Sequence, residues 1–481
     1  MSIATLAPEP LWQHFSDLNA VPRPSKKEGR AIRFIEQFAQ KHGLEYTTDA
    51  TGNVLVKKPA SAGREKQPPV ALQSHLDMVC QKNLDTDFDF ESQGIRTRLE
   101  GDWVLAEGTT LGADNGIGVA AMMAVLAATD LVHPPLEALF TIDEETGMTG
   151  ARGLAGGLMQ ARVMLNLDTE VDCELTIGCA GGLDVQATCS YSEAEISDEH
   201  EFLEVRLKGL SGGHSGLEIH KGLANANKLM NRFLYAATLK FGLRLASIDG
   251  GGLRNAIPRE STAVVAIPRK RLQEFQAYVA EESEHYAREY QVTDPDCQLV
   301  CAPQTSRPKV MDRDFQTRLL CTVYTVNNGI YRMSPDVPGL VQTSNNLARL
   351  SVRDGHFSLA CLTRGSVDSE KMDLATALRC PLELMGAEVT FSGDYPGWTP
   401  RPDAGIVKLM SGIYRELFGH EPKVTACHAG LECGILGANY PEMEMISFGP
   451  NIHGAHSPDE KVQVSSVQKF WKLLTTTLAR L

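Results

Sequence analysis

Val70-Ala-Leu-Gln73, followed at once by Ser74-His-Leu-Asp77, decides how the rest of the chain is read. The apolar run has the length of a buried strand rather than a helix, and an imidazole and a carboxylate stand just past its end. The same arrangement recurs. Leu136–Ile142 reads as a strand and leads into Asp143-Glu-Glu145; Arg162–Leu167 leads into Asp168; Met443–Phe448 leads into Asn451-Ile-His-Gly-Ala-His456. Between the first two lies Gly116–Ala128, an Ala- and Met-rich helix opened by Gly112-Ala-Asp-Asn-Gly116, which puts Asp114 at its start. Strands alternating with helices imply an α/β fold with a mostly parallel sheet. Open parallel sheets bind ligands beyond the carboxyl ends of their strands. His75, Asp77, Glu144, Glu145, Asp168 and His456 are therefore expected on one rim.

Outward from this core, Ala31–His42 is an amphipathic helix with Ala31, Ile35 and Phe38 on one face. Leu44–Thr48 and Asn53–Lys57 form a hairpin around Asp49-Ala-Thr-Gly52. The alternation breaks near Gly181. Beyond it, Phe202–Leu207 and Thr262–Ile267 read as strands, and Leu223–Leu239 and Leu272–Tyr290 as long helices. Segment 291–312 holds Pro295, Pro303 and Pro308 and reads as a loop. After Tyr395-Pro-Gly-Trp-Thr-Pro400 the α/β style returns, with helices at Ala404–Leu417 and Val464–Leu478. One α/β domain, 1–181 and 393–481, is thus expected to be interrupted by an α+β domain at 182–392.

Composition narrows the function. The 481 residues are 43% hydrophobic and 22% charged, which suits folded globular domains. The formal net charge of −14 disfavours a nucleic-acid partner, which needs a basic footprint. No apolar run reaches the roughly 18 residues of a membrane span, and the first ten residues lack the basic and apolar regions of a secretory signal. Eleven scattered cysteines without a C-x-x-C pair point to a reducing compartment, so a cytoplasmic location is expected.

The rim residues are those of a hydrolytic metal centre that keeps a position open for water. Two divalent cations need a shared acidic bridge, and Asp114 is the natural candidate. In a strand, positions i and i+2 face the same side, so Asp77 is expected to hold the second ring nitrogen of His75 and fix its tautomer. Adjacent side chains diverge in Glu144-Glu145, so one can bind metal while the other acts as general base on the attacking water. Each feature alone has an ordinary reading: a surface pair, a solvated Glu-Glu, a helix cap. The joint arrangement carries the inference.

The set His75-Leu-Asp77, Gly112-Ala-Asp-Asn-Gly116, Asp143-Glu-Glu145, Asp168 and His456-Ser-Pro-Asp459 resembles the M20 metallopeptidases. Further motifs resemble the aminoacyl-histidine dipeptidases within that family: Cys179-Ala-Gly-Gly182, Leu210-Ser-Gly-Gly-His-Ser-Gly216, Leu253-Arg-Asn-Ala-Ile-Pro-Arg259 and His428-Ala-Gly-Leu-Glu-Cys-Gly434. The resemblance runs from about Leu11 to Leu478. It implies a zinc-peptidase-like catalytic domain with an inserted lid domain, and hydrolysis of unblocked dipeptides, including Xaa-His. Two divalent ions per chain are implied, Zn2+ foremost, with Co2+ or Mn2+ as alternatives. His75, Asp114 and Asp168 would hold one; Asp114, Glu145 and His456 the other. Glu144 would be the base and Asp77 would orient His75. In the lid, His214 would stabilise the oxyanion, from its own or a partner subunit, and Asn255 and Arg364 would grip the substrate's carboxylate end. A homodimer through the lid is implied. Cys80 and the extra imidazole His453 depart from the pattern and bear on metal choice and oxidation.

Other classes compete. Gly209-Leu-Ser-Gly-Gly213 fits the G-x-S-x-G of a serine-hydrolase elbow, but such an elbow needs a helix at once, and the next one is expected only near Leu223. A metal-binding protein without catalysis would have no use for Glu144. Within the family, an N-acyl amino-acid deacylase or a carboxypeptidase is the rival.

Overall fold

The computed structural model describes residues 3–481. The chain forms two compact units. Of the described residues, the first comprises those up to 178 with 398–426 and 431–481, and the second 179–397 and 427–430. Sequence style changes at 181/182 and 392/393, whereas the units divide a few residues away, because the Glu174–Cys179 strand still pairs in the first unit's sheet before the chain leaves it. The short return of 427–430 to the second unit has no signal in composition.

The first unit is built on an eight-stranded sheet. Its centre is Leu136–Thr141, Val70–His75, Val163–Asn166 and Glu444–Ser447, in that order and all parallel. Antiparallel strands flank it: the Glu45–Thr48/Val54–Lys58 hairpin on one side and Glu174–Cys179 on the other. Every residue of Val70–His75 and Leu136–Thr141 is buried, as expected for strands covered on both faces. The Ala113–Ala127 helix packs on Val70–His75 and under Glu9–Asn19; its small Ala and Gly residues allow close approach, and its body is buried all round. Gly29–Lys41 and Val464–Arg480 bury single apolar faces against the same core.

The second unit is an antiparallel nine-stranded sheet with helices Ala226–Phe241, Leu272–Glu289, Arg313–Thr325 and Asp368–Leu384. Its strands alternate. Leu183, Val185 and Ala187 are buried while Gln186 and Thr188 are exposed, and Leu203, Val205 and Leu207 line the same core. Segment 291–312 is not all loop: Gln298–Pro303 forms an edge strand on His200–Lys208, and Val310–Met311 pairs with Glu193–Ala194. An edge strand pairs on one side only and tolerates a terminal proline, so it lacks the sequence signal of an interior strand.

Candidate metal centre

The four parallel strands each lead to a side chain on the rim, at or beyond their carboxyl ends. His75 is the last residue of Val70–His75. Asp143-Glu144-Glu145 follows Leu136–Thr141, Asp168 lies two residues past Val163–Asn166, and His456 sits in the loop after Glu444–Ser447. Asp114 meets them from the start of the Ala113–Ala127 helix, where its φ/ψ of −81°/108° departs from helical values. The backbone around it is tightly held. The buried Glu460 carboxylate accepts the N–H groups of Leu111 (2.7 Å), Gly112 (2.9 Å), Ala113 (2.7 Å) and Asp114 (3.2 Å). Arg23, also buried, donates to the carbonyls of Gly112, Leu76 and Asp77. Gly112 has φ +69°, and a Cβ there would lie 2.4 Å from Arg23 Nη2, so glycine is required.

Asp114 presents its two oxygens to different imidazoles: Oδ1 is 3.2 Å from His75 Nε2 and Oδ2 is 3.3 Å from His456 Nε2. Asp168 Oδ1 is 3.5 Å from His75 Nε2, and Glu145 Oε2 is 2.9 Å from His456 Nε2. Asn115 holds Asp168 through a short side-chain bond and donates to Leu167 O. Asp77 lies beyond the strand, yet His75 Nδ1 meets both its backbone carbonyl (3.1 Å) and its Oδ1 (3.3 Å). Its carboxylate also accepts from Ser25 Oγ (2.7 Å) and from the N–H groups of Glu144 (3.0 Å) and Glu145 (3.3 Å). One buried carboxylate thereby orients a histidine and the whole Glu-Glu turn. Glu145 pairs with His456, whereas Glu144 forms no ion pair with either histidine.

The electrostatics fit bound cations. Five carboxylates, those of Asp77, Asp114, Glu144, Glu145 and Asp168, surround two imidazoles. Burial, with Asp114 and Glu145 nearby, pushes Asp168 up to about 6. Burial, then the charges of Asp168, Glu432 and Glu145, raises Glu144 well above the ordinary range despite His75. Burial, then Asp114 and Asp168, pushes Glu170 up to about 8. Bonds to Asp114 and Glu145 push His456 up to about 11. Glu145 Oε1 is buried with no hydrogen-bond partner among the described residues. Ligand atoms of His75, Asp114 and Glu145 all lie within 4.8 Å of one another. Such an excess of buried negative charge suits divalent ions and is costly without them.

Glu460, Arg23, Asn115 and Glu432 belong to this centre, and sequence reading gave none of them a role; Glu460 and Arg23 lie in no quoted motif. Glu432 is buried, accepts from Thr141 Oγ1 (2.6 Å) and Gln73 Nε2 (2.7 Å), and is pushed up to about 8 by burial. Its place in His428-Ala-Gly-Leu-Glu-Cys-Gly434 was the available signal. His453 takes no part in the cluster: its ring lies 4.8 Å from Trp103. Burial pushes the Cys80 thiol up to about 11, which keeps it protonated.

A second group of expected site residues lies within the second unit. His214 Nδ1 accepts the N–H groups of Gly216 (3.1 Å) and Leu217 (3.0 Å). Burial, then Arg364, lowers its pKa, so the neutral ring carries its proton on Nε2. Arg364 is buried; Nη1 donates to Tyr395 Oη (3.2 Å), while Nε has no partner among the described residues. A Cβ on Gly216 would lie 3.1 Å from both Arg364 Nε and His214 Cε1, so this glycine lets the two approach. His428, pushed down to about 3 by burial and then by Arg364, bonds Ser344 Oγ at 2.7 Å. Asn255 is exposed and touches this group through its backbone carbonyl, which accepts Ser215 N–H at 2.8 Å. No serine elbow forms: Ser211 Oγ donates to Thr293 O, and the next α-helix starts at Ala226.

The rim, with an aspartate that faces two imidazoles and a Glu-Glu turn beside it, has the donors of a metallopeptidase centre, and residues 71–480 match the peptidase family M20/M25/M40. The chain belongs to that family and is a peptidase of it. Over 476 residues it is 40% identical to the cytosol non-specific dipeptidase of Escherichia coli (strain K12), covering 99% of this chain and 98% of that protein. The crystal structure of the aminoacylhistidine dipeptidase from Vibrio alginolyticus matches with a TM-score of 0.94 at 41% identity, covering 100% of this chain and 98% of that one. Aminopeptidase PepT from Bacillus cereus shares the fold, with a TM-score of 0.58 at 15% identity over 98% of both chains. Among the described residues no helix is long and apolar enough to cross a membrane.

Proposed function

We propose that this peptidase is a cytoplasmic two-metal dipeptidase acting on unblocked dipeptides, Xaa-His among them. The observation that carries the reading is Asp114, whose two oxygens face His75 and His456 separately. His75, Asp114 and Asp168 would hold one ion, and Asp114, Glu145 and His456 the other, with zinc the first choice and cobalt or manganese as alternatives. When bound, such ions lower the pKa of a coordinated water and polarise a carbonyl oxygen. Glu144 takes a proton from the attacking water and returns it to the leaving amine; its raised pKa suits a group that must both accept and donate. Asp77 keeps His75 in the tautomer that presents Nε2. His214 donates from Nε2 to the developing oxyanion.

Substrate length is set by the carboxylate end. Arg364 is a buried cation with an unpaired Nε, and an anionic substrate group would satisfy it. Asn255 would assist from its exposed loop. The names of the two relatives near 40% identity, a non-specific dipeptidase and an aminoacylhistidine dipeptidase, support this class. A homodimer through the second unit is the assembly that the family resemblance implies.

A panel of dipeptides, tripeptides, dipeptide amides and N-acyl amino acids tests the reading. Free dipeptides should be cleaved far faster than the other three. Preference for N-acyl amino acids would make the enzyme a deacylase, and ready cleavage of longer peptides would make it a carboxypeptidase.

A further inference from the structure

The glycines of Cys179-Ala-Gly-Gly182 supply no side chain to the proposed chemistry, yet their place is sterically fixed. A Cβ on Gly182 would lie 2.5 Å from Tyr395 Cε1 and 2.6 Å from both Cζ and Oη. One on Gly181 would lie 2.4 Å from Tyr395 O. The ladder explains this. Gly182 pairs with Tyr395 on one neighbouring strand and with Arg364 on the other. With no side chain between them, the tyrosine ring lies across the glycine and its hydroxyl reaches Arg364 Nη1 at 3.2 Å. The tyrosine's backbone is anchored in turn. Lys371, fully buried, donates to Tyr395 O at 2.7 Å and pairs with Asp394 (2.7 Å) and Asp368 (3.0 Å).

We propose that Tyr395 is the positioning residue for Arg364, with Gly182 as its seat and Lys371 as its anchor. The inference rests on the reading that Arg364 takes the dipeptide's carboxylate. A guanidinium on a long flexible stem must be held still to bind bidentately. With Nη1 committed to Tyr395, the edge formed by Nε and Nη2 stays available to the two carboxylate oxygens. Nε, buried and unpaired among the described residues, lies on that edge.

Tyr395→Phe keeps the ring on its glycine seat and removes only the hydroxyl. For a free dipeptide we expect KM to rise on the order of tenfold with kcat nearly unchanged. Kinetics on the matching dipeptide amide should stay within about twofold, since the amide does not engage the fork as an anion. In an Arg364→Ala background, Tyr395→Phe should add nothing to the loss of acid-over-amide preference. Three results would overturn the assignment. Equal losses on acid and amide would mean a merely structural role. Intact acid preference in Tyr395→Phe, with that preference lost in Arg364→Ala, would remove Tyr395 and leave the carboxylate reading standing. Intact preference in Arg364→Ala would remove both.

Discussion

Asp77→Asn is the sharpest probe of how the centre is held. Oδ1 of Asp77 faces two donors, His75 Nδ1 (3.3 Å) and Glu144 N–H (3.0 Å); Oδ2 faces Ser25 Oγ (2.7 Å) and Glu145 N–H (3.3 Å). An amide must place its NH2 on one side. On the Oδ1 side it would meet the Glu144 N–H, which cannot reverse, and His75 Nδ1, which could accept only by giving up the tautomer that presents Nε2. On the Oδ2 side the Ser25 hydroxyl can rotate and accept, so only the long bond to Glu145 N–H is lost. Asparagine therefore settles with its nitrogen toward Glu145. The cost is one bond to a charged acceptor, about 1.5–3 kcal/mol, plus the loss of negative charge behind His75. Orienting partners of this kind are worth roughly 10–100-fold in metal affinity. We expect a loss in that range by competition against a chromophoric chelator, with the Glu144-Glu145 turn and its bound ion the more affected. The difference in stability has a pH signature. Burial alone would raise the Asp77 pKa, but the bonds from His75, Ser25 and Glu144 hold it below its ordinary value. Its contribution is therefore present above about pH 4 and is lost as the pH falls through the lowered value. Wild-type and Asp77→Asn stabilities should converge in acid. Metal affinity within twofold of wild type would refute the reasoning.

Asp114→Ala should lose both ions, since each imidazole faces one of its oxygens; elemental analysis finding two tightly held ions would sink the bridging assignment. Glu144→Gln should lower turnover by about 10²–10⁴ while metal content stays near wild type. Departure of the metals with that substitution would exchange the roles of Glu144 and Glu145. His214→Ala should lower kcat more than it raises KM, because its Nε2 proton serves the developing charge rather than the ground state; a pure KM effect in steady-state kinetics would contradict this. Activity should decline in acid as protons compete with metal at the imidazoles and carboxylates, and excess metal should shift the acid limb to lower pH.

The parallel core was legible because its strands are apolar runs with a ligand type at or shortly after the end of three of them. His75, Asp168 and the Glu-Glu turn needed no more than that grammar. Their supports were not legible. Glu460, Arg23 and Glu432 are charged residues that look like surface and are buried only because backbone and side-chain partners from distant segments enclose them. The long strands of the second unit were hidden for a related reason. In Val341–Arg353 the run Gln342-Thr-Ser-Asn-Asn346 is polar yet buried, since Asn345 donates to Asn327 O and Asn346 to Arg254 O and Ala256 O. Polar residues satisfied by loops erase the alternation that marks a strand. The Gln298–Pro303 edge strand, exposed along most of its length, offers no alternation either.

The Glu444–Ser447 strand sits inside the first sheet, between Val163–Asn166 and Glu174–Cys179, and the loop after it carries both His456 and Glu460. The ribosome makes this segment after the entire second unit. At about 5–20 residues per second, the 288 residues from Asp168 to His456 take roughly 14–58 s to emerge. Throughout that interval the nascent first unit has a gap in its sheet, an unsupported Asp114 and one imidazole too few. Completion of the centre thereby waits for this segment: chains stalled before residue 444 should lack His456 and the Glu460 support of Asp114, and should expose an unpaired strand edge to chaperones, whereas emergence of residues 444–460 closes sheet and centre together.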